Sequence, residues 1–77
     1  MIKIYKTPTC VYCRMVAKLY DAKGIKYELV DVSEDMKLRQ EVIEKSGAMT
    51  VPVTVKGDWE DFVVGWNQVK LLNLIGA

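Results

Sequence analysis

The amino-acid sequence predicts one α/β domain in three layers, with helices on both faces of a mixed four-stranded sheet. Short apolar runs alternate with segments whose apolar residues recur at helical spacing, in the order β-α-β-α-β-β-α. The last two apolar runs are joined by a turn that is too short for a parallel crossover, which indicates a hairpin. The chain has 77 residues, 51% of them hydrophobic, and this composition suits a single domain spanning residues 1–77.

A β-α-β unit is predicted at the start of the chain. Residues 2–5 form a short strand that ends in the loop Thr7-Pro8-Thr9, and residues 27–32 form a second strand, which a right-handed helical crossover pairs with the first in parallel. The helix between them is predicted at residues 11–23, and Gly24 is expected to end it in a left-handed turn. Apolar residues recur at helical spacing on one side of this helix, at Tyr12, Val16, Leu19 and Tyr20.

A second helix is predicted between Ser33 and the pair Ser46-Gly47. Ser33 is expected to be its N-cap, and Glu34 and Asp35 put negative charge near its positive end. Its predicted buried face consists of Met36, Leu38, Val42 and Ile43.

The remaining residues predict the hairpin and a closing helix. Strands at residues 51–55 and 61–64 flank a turn at Gly57-Asp58, and a short helix at residues 69–75 follows Gly65. Between the second helix and the hairpin, Met49 is expected to fill a gap in the core.

Charge and composition exclude several classes of function. Lys and Arg number 11 and Asp and Glu number 10, with no basic run, so no nucleic-acid partner is expected. No apolar stretch approaches the roughly 18 to 20 residues that cross a bilayer, and Met1 leads directly into a strand, so we expect no membrane partner and a cytoplasmic location. The sequence has no histidine, which excludes the cysteine–histidine pair of a cysteine protease.

Cys10 and Cys13 are the only cysteines of the chain, and they lie at the start of the first predicted helix. Free backbone N–H groups and the helix dipole favour a thiolate at Cys10, the form that attacks disulfides. A dipole contribution of about 1 to 2 kcal/mol corresponds to roughly one pKa unit, and Lys6 adds to it if it lies close. Cys13 lies one turn further on the same side and is expected to be the less exposed thiol, which resolves the mixed disulfide formed at Cys10.

A purely structural or metal-binding role suits the cysteine pair less well. A structural disulfide with this spacing closes too small a loop to restrict the unfolded chain much. A zinc site lacks a second pair of ligands, so no metal site is expected. A copper carrier of the ferredoxin-like class has a Met two residues before the first cysteine, where this chain has Pro8.

Over residues 5–71 the chain resembles the glutaredoxin family of the thioredoxin fold. The matching segments are Tyr5 with Cys10-Val11-Tyr12-Cys13, Lys23-Gly24-Ile25-Lys26-Tyr27 with Asp31-Val32, Thr50-Val51-Pro52, and Gly65-Trp66-Asn67 with Lys70-Leu71. The resemblance implies a thioredoxin-like three-layer sandwich. It also implies a monomeric dithiol oxidoreductase that reduces protein disulfides or glutathione mixed disulfides.

The resemblance assigns roles to individual residues. Cys10 matches the family's nucleophile and Cys13 its resolving cysteine. Pro52 matches a cis-proline that faces the pair, and Val51, with Thr50 beside it, matches the residue whose backbone binds a peptide-like substrate. The residues expected to contact substrate are Tyr12, Thr50, Val51, Pro52, Gly65, Trp66 and Asn67. No tightly bound cofactor is implied, and glutathione is a candidate reductant.

Departures from the family pattern leave the reductant open. Glutathione-binding members usually carry a Lys where this chain has Thr7 and an acidic residue in the turn where it has Asn67. With these differences and with Val11, the chain resembles NrdH-type redoxins, which take electrons from thioredoxin reductase and pass them to ribonucleotide reductase. Tyr12 is instead typical of glutaredoxins. A further alternative is a non-catalytic protein in which Cys10 holds an iron–sulfur cluster between two subunits, although Cys13 favours an internal disulfide.

Overall fold

The chain folds as β-α-β-α-β-β-α in the computed structural model, which describes residues 1–76. The elements are β1 (Ile2–Lys6), α1 (Val11–Ala22), β2 (Tyr27–Asp31), α2 (Met36–Ser46), β3 (Val53–Lys56), β4 (Asp61–Val64) and α3 (Gln68–Leu74). The strands form one sheet in the order β2-β1-β3-β4. β1 and β2 are parallel and the other two pairs are antiparallel, which confirms the predicted mixed sheet and hairpin.

The two faces of the sheet carry separate cores because side chains alternate along each strand. On one face, Ile2, Ile4 and Val63 pack with the apolar sides of α1 and α3. On the other face, Tyr5, Val53 and Val55 pack with Val42 of α2 and with Val32, and Trp59 stacks on the Tyr5 ring with 5.7 Å between centroids. The three-layer arrangement therefore follows from which strand residues are apolar on each face.

Helix α1 ends as predicted, and Tyr12 lies outside its buried side. Lys23 is the C-cap and Gly24 follows with φ +69°, a left-handed turn that suits glycine. Tyr12, which shares the helical spacing of the apolar residues and is also expected to contact substrate, is 56% exposed. The inward stripe begins at Cys13, which is 2% exposed, and continues through Val16 and Tyr20. Helical periodicity places Tyr12 at the edge of that stripe, in the first turn and next to the open end of the sheet.

Helix α2 begins later than predicted. Asp35, not Ser33, is the N-cap: its backbone is extended and its carboxylate accepts a hydrogen bond from the Leu38 N–H at 3.0 Å. The Ser33 N–H donates to Asp31 Oδ1 at 2.8 Å, which closes a turn before the helix. Met36 is the first helical residue and is 84% exposed, so its predicted burial is wrong. The helix ends at Ser46 and Gly47 as predicted, with φ +72° at Gly47.

The other element boundaries lie within one or two residues of the predicted ones. β3 begins at Val53 rather than at Val51, because Pro52 has no N–H to donate to the sheet. α3 begins at Gln68, with Asn67 as its N-cap. None of the helices within residues 1–76 combines the length and the apolar character needed to span a membrane.

The hydroxyl of Thr54 is a buried polar group without a hydrogen-bond partner among the described residues. Thr54 is fully buried between Ile4 and Val63 on the α1 and α3 side of the sheet. Thr54→Val removes the unpaired hydroxyl and keeps the shape, so we expect the free energy of unfolding to rise by about 1 kcal/mol. Urea denaturation measures this change. Thr54→Ser is the control: it keeps the hydroxyl and loses a methyl group, and it should lower the stability. A Thr54→Val protein less stable than the parent would contradict the interpretation.

A buried tyrosine joins α1 to α3 and makes the free energy of unfolding fall as the pH rises into the alkaline range. The Tyr20 hydroxyl donates to the Leu71 carbonyl oxygen at 2.9 Å, and burial raises the pKa of Tyr20 to about 12 from its ordinary 10. Its contribution to stability is therefore complete below pH 10 and is lost as the pH rises toward 12, by up to about 1.4 kcal/mol per pH unit.

Tyr20→Phe should lower the free energy of unfolding by about 1 kcal/mol at neutral pH, because the Leu71 carbonyl loses its buried partner. Above pH 10 the variant should lose stability less steeply than the parent. Denaturant titrations of the two oxidised proteins from pH 8 to pH 12 test both statements. Identical slopes above pH 10 would show that Tyr20 does not carry the effect.

Candidate functional site

Three connecting segments leave the sheet at the same end. β1 runs toward this end and finishes at Lys6, β3 begins here, and β4 finishes here, since Tyr5 pairs with Val53 and Val53 with Val64. The segments that follow β1, precede β3 and follow β4 are residues 7–10, 47–52 and 65–67. Sheet register therefore brings together three parts of the chain that are distant in sequence.

Hydrogen bonding and peptide geometry fix two of these segments against each other. The Gly65 N–H donates to the Pro52 carbonyl oxygen at 2.8 Å, and the peptide bond between Val51 and Pro52 is cis. Gly65 has φ +76°, which lets the chain turn sharply from β4 toward α3. The Pro52 and Gly65 segments thus form one unit beside the loop that carries the cysteines.

The cysteine pair lies at the start of α1. Cys10 is the N-cap residue, with extended backbone, and its sulfur accepts a hydrogen bond from the Cys13 N–H at 3.1 Å. Cys10 and Cys13 are joined in a disulfide with their Cα atoms 5.3 Å apart. Cys10 is half-buried, whereas Cys13 is 2% exposed. A reactant from solvent therefore reaches Cys10 first, and the Cys13 N–H of the first turn faces its sulfur.

A groove of about 310 Å³ lies on the α2 side of the cysteine loop. Thr7 joins it to that loop, and Thr50 and Val51 form part of its wall. Its lining residues are Thr7, Val32, Arg39, Val42, Ile43, Ala48, Met49, Thr50 and Val51. The lining is mostly apolar with one cation, Arg39, so the groove suits an apolar side chain of an extended peptide more than a highly charged molecule.

A smaller cavity, of about 90 Å³, lies on the α1 side of the disulfide. Its lining residues are Lys6, Thr7, Pro8, Cys10, Cys13, Arg14, Ala17 and Leu29. Two cations, Lys6 and Arg14, thus share a cavity with both cysteines. Lys6 therefore lies close to the cysteines, as its predicted contribution to the thiolate requires.

The other residues expected to contact substrate occupy different environments. Tyr12 and Thr50 are exposed, and Val51 is half-buried. Trp66 is half-buried and packs partly against the α1 and α3 core. Asn67 already has a structural task, since its Oδ1 accepts the Lys70 N–H at 3.1 Å and caps α3.

Several residues of this surface were not found by sequence reasoning. Met49 was expected in the core and is 85% exposed at the groove, so that prediction is wrong. Arg14 and Arg39 line cavities, but an exposed cation on a helix has the same sequence signature whether or not a cavity lies beside it. Within residues 1–76, no group of three Cys, Asp or Glu side chains is arranged to hold a metal ion.

Comparison with known proteins agrees with this geometry. The family model described as glutaredoxin matches residues 2–59. A Clostridium pasteurianum protein, described as an uncharacterized glutaredoxin-like 8.6 kDa protein in a rubredoxin operon, is 38% identical over 76 residues that cover 97% of each chain.

Two solved structures superpose closely on the chain. Glutaredoxin (Grx-1) of Archaeoglobus fulgidus gives a TM-score of 0.86 at 31% identity, covering 99% of this chain and 86% of its own. NrdH-redoxin of Escherichia coli, a glutaredoxin-like protein with a thioredoxin-like activity profile, gives a TM-score of 0.81 over 99% of this chain and 96% of its own. Its identity is 24%, so this second likeness shows the fold alone. With a thioredoxin-like fold, a disulfide at the start of α1 and a family match over most of its length, the chain belongs to the glutaredoxin family.

Proposed function

We propose that the protein is a dithiol carrier that reduces protein disulfides through Cys10 and Cys13. The observation that carries the proposal is the disulfide at the first turn of α1, with one accessible and one buried sulfur. Glutaredoxin-like folds with this cysteine spacing support thiol–disulfide redox activity in general. In this chain, each of the two cysteines carries one step of that activity.

Cys10 is the attacking residue in this proposal. In the reduced protein its thiolate is stabilised by the Cys13 N–H and by the positive end of α1. It attacks one sulfur of a substrate disulfide, forms a mixed disulfide with that sulfur, and releases the other sulfur as a thiolate. A residue buried as deeply as Cys13 is poorly placed for this first encounter.

Cys13 completes the transfer. It attacks the Cys10 sulfur of the mixed disulfide, forms the internal disulfide and releases the second substrate thiolate. The substrate gains two electrons and the protein loses two. Because Cys13 is one helical turn from Cys10, the attack needs no large movement of the backbone.

The groove next to the cysteine loop is proposed to hold the substrate. Thr50 and Val51 precede the first residue of β3, so their backbone groups are outside the sheet hydrogen bonds and can pair with an extended segment of a partner. The exposed Met49 and the apolar floor of the groove suit an apolar side chain of that segment. Tyr12 and Trp66 are then two aromatic neighbours of the bound disulfide.

Cysteine replacements test the assignment of the two steps. Cys10→Ser should abolish reduction of insulin disulfides, because the attacking sulfur is absent. Cys13→Ser should stop turnover after the first step and accumulate a covalent Cys10–substrate species, which non-reducing electrophoresis and mass spectrometry detect. Circular dichroism of both variants controls for folding. Dithiol turnover by the Cys10→Ser protein, or a covalent species at Cys13 rather than at Cys10, would contradict the proposal.

Electrons are proposed to come from thioredoxin reductase rather than from glutathione. Thr7 supplies no cation for a carboxylate of glutathione. Asn67 supplies no acid for the amino group of glutathione, and the Oδ1 atom of Asn67 already caps α3. Losing a hydrogen bond to a charged group typically costs about 1.5 to 3 kcal/mol, which is enough to weaken binding about tenfold or more. If this reductant is correct, ribonucleotide reductase is the first partner to test, by analogy with NrdH-type redoxins.

NADPH consumption with the oxidised protein distinguishes the two reductants. We expect faster turnover with thioredoxin reductase alone than with glutathione and glutathione reductase. A double variant, Thr7→Lys with Asn67→Asp, should raise the glutathione-dependent rate about tenfold, since it restores both charges and Asp still caps α3. Efficient glutathione-dependent turnover by the parent protein would contradict this choice of reductant while leaving the dithiol chemistry intact.

The cluster alternative is less well supported. A cluster shared between two copies would use Cys10 as a ligand, whereas Cys13, one helical turn away, offers Cys10 a competing internal disulfide. Visible absorbance of protein purified without oxygen would favour the cluster, and a colourless protein that cycles one disulfide would favour the carrier.

A further inference from the structure

The two cavities beside the disulfide differ in chemistry. The larger groove is bounded by α2 and is mostly apolar, whereas the smaller cavity is bounded by α1 and has Lys6 and Arg14 in its wall. Thr7 borders both cavities, and the two lie on opposite faces of the sheet, since one is lined by Val42 of α2 and the other by Ala17 of α1. A substrate disulfide seated on Cys10 would therefore have an apolar neighbour on one side and a cationic neighbour on the other.

The two cations of the smaller cavity form no close ion pair within the described residues. The carboxylate nearest to Lys6 along the sheet is that of Asp31, its register partner on β2. That carboxylate accepts the Ser33 N–H at 2.8 Å, and hydrogen bonds from Ser33 are the main cause of the lowered pKa of Asp31, with Lys6 a smaller one. Neither Lys6 nor Arg14 forms an ion pair within 4 Å among residues 1–76.

Positive and negative charges are also unevenly distributed along the chain. The first third of the chain, which forms β1 and α1, contains six cations: Lys3, Lys6, Arg14, Lys18, Lys23 and Lys26. Its one acidic residue is Asp21, whose carboxylate accepts the Tyr27 hydroxyl at 2.9 Å. Residues 28–62, which include α2, contain nine acidic residues and four cations. The segment that forms β1 and α1 is thus net positive while residues 28–62 are net negative, although the whole chain is nearly neutral.

We propose that Lys6 and Arg14 form a subsite for an acidic side chain that flanks the disulfide of a protein substrate. The inference rests on the proposed dithiol function and adds to it a preference among substrates. While the Cys10 thiolate attacks the substrate disulfide and releases one substrate thiolate, the two cations hold the neighbouring carboxylate. Cys13 then closes the internal disulfide and releases the second thiolate, so the subsite takes no part in the electron balance. Its effect is to favour disulfides with Asp or Glu beside them.

Single-turnover reduction of model peptides tests the subsite without any reductase. Three cyclic disulfide peptides, identical except for Glu, Gln or Lys next to one cysteine, are mixed with the reduced protein at low salt. Quenched samples are analysed by mass spectrometry, and each rate is divided by the rate with dithiothreitol to correct for peptide reactivity. Two partly exposed charge pairs predict that the Glu peptide reacts about three to ten times faster than the Gln peptide. The Lys peptide should be slowest, and added salt should reduce the differences.

Variants of single cations locate the effect. Arg14→Gln and Lys6→Gln should each reduce the Glu-to-Gln rate ratio to below about two, and Arg14→Lys should retain most of it. Lys18→Gln is the matched control, because Lys18 is an exposed cation one turn further along α1 that does not line the cavity. Its ratio should stay at the parent value.

Three results would overturn the subsite. The first is a Glu-to-Gln ratio near one in the parent protein, and the second is a ratio unaffected by Arg14→Gln and Lys6→Gln. The third is an equal loss in Lys18→Gln, which would assign the preference to diffuse charge rather than to this cavity. Reduction of the Gln peptide by the parent distinguishes these failures from failure of the dithiol function, because that rate does not depend on the subsite.

Discussion

The hydrogen bond from the Cys13 N–H to the Cys10 sulfur holds the redox pair where the chain changes from loop to helix. It satisfies one of the N–H groups that every helix leaves unpaired in its first turn, and it does so with a sulfur instead of the usual oxygen. Because Cys10 is the N-cap, the helix that packs through Val16 and Tyr20 into the core also fixes the position of the reactive atom. The stability of α1 and the chemistry of the site are therefore properties of the same few atoms.

Sheet register supplies the second half of the site. The pairing of Tyr5 with Val53, and of Val53 with Val64, carries the cysteine loop, the Pro52 segment and the Gly65 turn to one end of the sheet. The hydrogen bond from the Gly65 N–H to the Pro52 carbonyl then holds two of these segments together. Exposed backbone near Thr50 and Val51, beside an apolar groove, is what a thiol carrier needs in order to accept an extended segment of a protein. The opposite cavity adds two cations, Lys6 and Arg14, beside the cysteines.

Much of this arrangement could be predicted from the sequence, because strong local signals and the fold agree. The alternation of strand and helix periods predicted the correct element order, and Gly24 and Gly47 end their helices in left-handed turns as expected. The errors lie where local signals compete. Ser33 and Asp35 are both good N-caps, and Asp31 binds the Ser33 N–H, which leaves Asp35 to begin the helix. Met36 fits the apolar periodicity of α2 but is its first residue and is 84% exposed.

In the candidate site, too, some residues could be predicted from the sequence and others could not. Cys10 and Cys13 are visible in the sequence because their spacing carries their chemistry, and Thr50, Val51 and Pro52 are visible through the family resemblance. Lys6 was expected to support the thiolate only if it lay close, and Arg14 was not assigned, since the two cations have no distinctive spacing and meet only after β1 and α1 pack beside each other. Asn67 shows the reverse case: a residue expected to contact substrate has its side-chain oxygen engaged in capping α3.

The measurement that tests the central claim most directly is a pH titration of thiolate absorbance in the reduced protein, compared with the reduced Cys10→Ser and Cys13→Ser variants. If the start of α1 stabilises the Cys10 thiolate, one thiol of the parent ionises well below the ordinary cysteine pKa of about 8.5. That transition should persist in Cys13→Ser and disappear in Cys10→Ser. Ionisation of both thiols at or above the ordinary value, or a low transition that belongs to Cys13, would contradict the stabilisation of Cys10 by the helix.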